Sequence, residues 1–151
     1  ELYVDALGVG VDLDTFPDVS KCDDLISASG ATTIYANRAK ASLTTSLAGS
    51  NNDLKFTCKN YGSIGNILQV AYIDPAANNQ ALAITIVAGL IRVSLATGAG
   101  GAITSTASAI KTAIEANANA NALVSVALAT SNTGAGVVTA MAATNLTGGL
   151  G

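Results

Sequence analysis

The sequence predicts an α+β protein, mainly β, in which a mixed sheet or small sandwich packs against one helix at about residues 103–118. Three observations predict it. Apolar residues alternate with polar ones over Leu54–Lys59 and again on both sides of Val87-Ala88-Gly89. The period then lengthens to three and four at Ile103, Ala107, Ile110 and Ile114. Glycine- and asparagine-bearing breaks separate the runs. Period two marks strands with one dry face, and period 3.6 marks a helix with one apolar face.

In chain order, residues 1–18 read as an extended segment closed by the turn Phe16-Pro17-Asp18. Its apolar residues are Leu2, Val4, Leu7, Val9, Val11 and Leu13, with a slip of phase near Ala6. The segment reads either as an edge strand or as an arm that pairs with a neighbouring subunit by strand addition. Residues 19–30 fit a short helix ended by Gly30, and Thr33-Ile34-Tyr35 a short strand. Leu43 and Leu47 fit either a strand or one helical turn, before the loop Gly49-Ser50-Asn51-Asn52. On this reading residues 1–50 are an arm and 51–151 the β-rich domain.

Leu54, Phe56 and Cys58 face one way and Lys55, Thr57 and Lys59 the other. Tyr61–Asn66 reads as a loop. Ile67–Ile73 is apolar on both faces except at Gln69, as a central strand would be, and Asp74-Pro75 ends it. Leu82–Leu95 reads as a hairpin broken at Val87-Ala88-Gly89. Gly98–Gly101 precedes the helix, with Thr104 or Ser105 as its N-cap. A polar loop then leads to a strand over Leu123–Leu128, and Val137, Val138 and Met141 form a last short strand or helical turn.

Composition narrows the function. Only 11% of the 151 residues are charged, and there is no His and no Trp. A typical soluble domain carries about 25% charged residues, so either other subunits cover part of the surface or Asn, Ser and Thr wet it. The net charge is −3, and seven acidic residues crowd into the first 24 positions. That balance argues against a nucleic-acid face, which needs a basic stripe. No apolar run reaches the length of a membrane span. The first residue is not Met, which fits a removed leader or a trimmed sequence.

Without His, neither a Ser-His-Asp nor a Cys-His arrangement exists, nor a His-ligated metal. Asp12 and Asp14, with Asp23 and Asp24, read as a solvated acidic loop rather than an acid–base pair, and Asp12-Leu13-Asp14 with Asp18 is a weak candidate for calcium. A calcium loop of the EF-hand type would need a central glycine and a closing glutamate, which this run lacks. The glycines at 62, 65, 98, 100 and 101 are explained by turn chemistry, since no Lys-Ser or Lys-Thr follows them. Asn145-Leu146-Thr147 matches a glycosylation pattern that arises often by chance. No catalytic, cofactor or metal residues are expected. Cys58 reads either as a small buried hydrophobe or as half of a disulfide with Cys22, which would close a loop of ~36 residues and add about 3–4 kcal/mol.

From about Asn51 to Gly149 the sequence resembles a domain that recurs in virion structural proteins of tailed bacteriophages. The resemblance rests on Asn52-Asp53-Leu54-Lys55-Phe56-Thr57, on Gly62-Ser63-Ile64-Gly65-Asn66, and on Val70–Leu82 with its Asp74-Pro75-Ala76-Ala77 core. It continues in Val93–Thr97, Ile103–Ala107 with Ile110-Lys111, Gly136-Val137-Val138 and Asn145-Leu146-Thr147-Gly148-Gly149. It implies a non-enzymatic assembly role on a capsid or tail, in many copies, with copies of itself and other virion proteins as partners and the virion as location. The alternative is a secreted, pilin-like surface filament subunit that polymerises through its N-terminal segment.

Overall fold

In the computed structural model the described residues are 38–150, and the compact unit they form begins at Arg38. Residues 38–50, read from sequence as the end of the arm, belong to this unit, and residues 40–44 of them form a strand of its sheet. The first strand, β1 (Lys40–Thr44), settles the open choice at Leu43 in favour of a strand. It pairs antiparallel with β2 (Leu54–Tyr61), which pairs antiparallel with β6 (Val124–Leu128). The alternation in β2 is realised. Leu54, Phe56 and Cys58 are buried, and Lys55 and Lys59 are exposed.

A second sheet has the order β4-β5-β3-β7, with β3 at Gln69–Ile73, β4 at Ala83–Val87, β5 at Leu90–Ser94 and β7 at Met141–Asn145. β3 runs parallel to β5 and antiparallel to β7, so the sheet is mixed. β3 is an interior strand as its two-sided apolar pattern predicts, and Val70, Ala71 and Tyr72 are all buried. β4 and β5 form the expected hairpin, with Val87 opposite Leu90. Ala88 (φ 48°) and Gly89 (φ 84°) both have positive φ, the signature of a type I′ two-residue turn.

The helix differs from expectation at both ends. α1 is Ala107–Ala116, and a second short helix, α2, follows at Ala118–Leu123. At the start, the three hydroxyl residues divide the work. Ser105 is committed elsewhere, because the Ala96 N–H donates to its Oγ at 2.8 Å. Thr104 donates its own N–H to Ala96 O. Thr106 is left to cap, accepting from the Ala109 N–H at 3.2 Å, so neither Thr104 nor Ser105 is the N-cap. Ile103 lies before the helix, bridging Thr97. At the other end Asn117 leaves helical geometry (φ −83°, ψ 108°), which closes α1, and its side chain caps α2 through the Ala120 N–H. The polar run before β6 is thus helical, with Ala120 buried.

One hydrophobic cluster joins these parts. Leu54, Phe56, Val124 and Val126 come from the first sheet, Val70, Tyr72, Ile91 and Val93 from the second, and Ile110 and Ile114 from α1. Among the described residues the architecture is a small two-sheet α+β sandwich, mainly β, with one main helix and one short one. Val138 is buried and Val137 bridges Thr106, so the last strand forms later than those valines, at β7.

Candidate docking surface

At the end of β2 the chain reaches Tyr61, whose register partner is Lys40 on β1. The Lys40 ammonium lies 4.8 Å and the Arg38 guanidinium 5.2 Å from the Tyr61 ring centroid. Both are within cation–π range. Gly62 then turns the chain at φ 98°, its N–H bonded to Ala39 O, into a short 3-10 helix, Ser63–Ile67. A 3-10 helix has three residues per turn, so Ile64 and Ile67 eclipse on one side. The opposite side is Gly65. A Cβ there would lie 2.8 Å from Ala41 Cβ and 3.0 Å from Cys58 Cβ. The absent side chain lets the short helix lie flat on β1 and β2, which leaves both isoleucines facing out.

Two further segments meet this helix. Asn66 holds Gly149 by a reciprocal pair, its amide donating to Gly149 O at 3.1 Å and its Oδ1 accepting the Gly149 N–H at 2.9 Å. That contact brings Leu150 alongside, hydrogen-bonded to Ala39 in both directions. On the other flank the Gln69 N–H donates to Gly89 O at 3.0 Å, which brings Gly89 of the β4–β5 turn beside Ile67, and Val87 ends the strand that enters that turn. Tyr61, Ile64, Ile67, Val87 and Leu150 are each more than half exposed. They are five of the six large exposed hydrophobic residues among the described residues, the other being Val137. Scattered exposed apolar residues are ordinary, but a concentration of them marks an interaction site.

Arg38 and Lys40 put positive charge beside Tyr61, and the described domain as a whole is cationic. Among residues 38–150, six Lys and Arg stand against three Asp and Glu, whereas residues 1–37 hold Lys21 against seven acidic residues. The described domain is therefore +3 and the first 37 residues −6, which together give the −3 of the chain.

The residues singled out from sequence fall as follows. Leu2, Val4, Leu7, Val9, Val11, Leu13, Asp12, Asp14, Asp18, Asp23, Asp24 and Cys22 lie outside the described residues. Cys58 is buried at 3% exposure on the inner face of β2. Gly98 and Gly101 build a turn, with the Gly98 N–H bonded to Ala102 O and Gly101 at φ 79°. Asn145 is exposed, but its amide donates to Asn66 O at 2.8 Å. The patch itself was missed. Its only trace in the sequence is a pair of isoleucines three apart inside a glycine-rich loop.

No helix among the described residues is long and apolar enough to cross a membrane, and they hold no cluster of three metal-ligating side chains. No family model, curated protein or solved structure matches the chain.

Proposed function

We propose that this chain is a non-enzymatic structural protein of a tailed-phage particle, assembled in many copies on the capsid or tail. The observation that carries an assembly role is the exposed apolar patch at Tyr61, Ile64, Ile67, Val87 and Leu150, held by hydrogen-bonded backbone on a well-packed domain. The sparse charge of the chain agrees with surface covered by neighbours. The resemblance of residues 51–149 to a recurring virion domain supplies the kind of particle. Surface complementarity, rather than bond chemistry, is then the protein's work.

Immunogold electron microscopy with antibodies to the domain tests this reading. Regular labelling of phage heads or tails is the expected outcome. Labelling of cell-attached filaments on uninfected bacteria would replace the phage reading with the pilin-like one.

A further inference from the structure

We propose that the outer face of the β1-β2-β6 sheet binds single-stranded nucleic acid, with Lys40, Lys55 and Lys59 on the phosphates and Tyr61 stacked against a base. The inference goes beyond the assembly reading, and its test leaves Ile64 and Ile67 untouched.

The net charge of −3 argues against such a face only while the charges are mixed along the chain, and they are not. β1, β2 and β6 hold no Asp or Glu. Alternation turns Leu54, Phe56 and Cys58 into the core, so Lys55, Thr57 and Lys59 line the outside of β2. Cross-strand register sets Ser42 of β1 and Ser125 of β6 on either side of Thr57, and Lys40 opposite Tyr61. Lys55 and Lys59 stand about 13 Å apart along one strand.

This positive charge is uncompensated. The three Asp and Glu of residues 38–150 are engaged elsewhere. Asp53 accepts from the Thr45 hydroxyl and the Leu47 N–H, Asp74 from the Ala76 N–H, and Glu115 pairs with Lys111. Among the described residues no carboxylate lies within ion-pair distance of Lys40, Lys55 or Lys59.

The chemistry of the face selects the partner. Protein interfaces are depleted of Lys and Ser and carry an apolar centre. Here the side chains between the lysines are the hydroxyls of Thr57, Ser42 and Ser125. Nucleic-acid interfaces are polar and positively charged, and lysines and hydroxyls are ordinary phosphate ligands. A three-stranded face is too broad to enter a duplex groove, but such a face can stack unpaired bases on an aromatic side chain. Tyr61 is 51% exposed at its end, with the Lys40 ammonium 4.8 Å from the ring centroid. A base and its phosphate would meet aromatic and cation together.

Fluorescence anisotropy of a labelled oligothymidylate of about 20 nucleotides, titrated with the full chain, tests this. Binding at about 20 mM salt is expected, and log K should fall against log salt with a slope of about −2, the value for three phosphate contacts on a single strand. Lys55→Glu should weaken binding roughly tenfold. Arg92→Glu makes the same change of net charge at an exposed position of the other sheet, and should weaken it less than about threefold. Tyr61→Leu should weaken it roughly tenfold through the lost stacking. All three positions are exposed, so thermal melting of the variants should match the parent.

No binding at that salt overturns the proposal. So do equal losses from Lys55→Glu and Arg92→Glu, the result of net charge alone. Equal affinity for polyglutamate of matched charge, or for phosphatidylserine vesicles, would replace nucleic acid with any anionic surface. Tighter binding of a duplex of the same length would refute the single strand and the stacking at Tyr61.

Discussion

Tyr72 shows what burial does to one side chain. It lies on interior strand β3 at 1% exposure, and its hydroxyl has no hydrogen-bond partner among the described residues. Burial chiefly, with the nearby charge of Asp53 adding to it, pushes its phenol well above the ordinary tyrosine value of 10.0. Above pH ~10 the unfolded chain therefore loses this proton while the folded chain keeps it. Stability contributed by the neutral phenol is whole below pH ~10 and falls above it, by about 1.4 kcal/mol per pH unit from this group. Tyr72→Phe should shorten that decline, with stability at pH 7 within about 1 kcal/mol of the parent. Urea melts of both proteins between pH 8 and pH 11 measure the difference, and equal slopes would refute it. The inward face of Cys58 was legible at this scale, because alternation alone puts it with Leu54 and Phe56. The need for glycine at 65 was not, since the atoms that forbid a side chain there come from Ala41 and Cys58.

At the scale of the element, local chemistry decides the details. Ala88 sits at φ 48° in the β4–β5 turn, where an L-residue with a Cβ is strained. Ala88→Asn should raise stability by about 0.5–1 kcal/mol, since Asn suits the first position of a type I′ turn. A lower chemical-denaturation midpoint would count against this account of the turn. At α1, Thr106→Ala should cost about 1 kcal/mol through loss of the cap. Thr104→Ala, whose side chain is exposed, should change stability by less than about 0.5 kcal/mol. Comparable losses at both positions would contradict the assignment of the cap. The hairpin was legible because its two strands are neighbours in sequence and pair across two residues. The cap was not, because Thr104, Ser105 and Thr106 suit it equally until the Ala96 N–H takes the Ser105 hydroxyl. Nor was α2, whose Asn-Ala alternation has no apolar stripe. It stands because Asn117 caps it and Ala120 is buried.

For the whole molecule, the decisive contacts join residues far apart in the chain. β3 pairs in parallel with β5, past the intervening β4, and β2 pairs with β6 some 70 residues later, Leu54 opposite Leu128. Periodicity finds such strands but is silent about their order. The patch belongs to the same class, being assembled from the end of β2, the β4–β5 turn and the last described residues. The outer edge of β1 is closed in this long-range way. Four backbone hydrogen bonds tie Ala39 to Leu150 and Ser42 to Thr147. Without them an unpaired edge remains, the usual template for aggregation. Truncation after Leu146 should cost about 2–4 kcal/mol and cause time-dependent light scattering in dilute solution. A truncated domain as stable and as clear as the parent would show that the edge does not need this cover. The reciprocal bonds between Ala39 and Leu150 have another consequence. The domain's entrance and exit lie side by side, about 5 Å apart as paired strands are. A unit with that geometry is portable: spliced into a surface loop of an unrelated host, it would occupy the gap of a single peptide turn and leave the host's own path undisturbed.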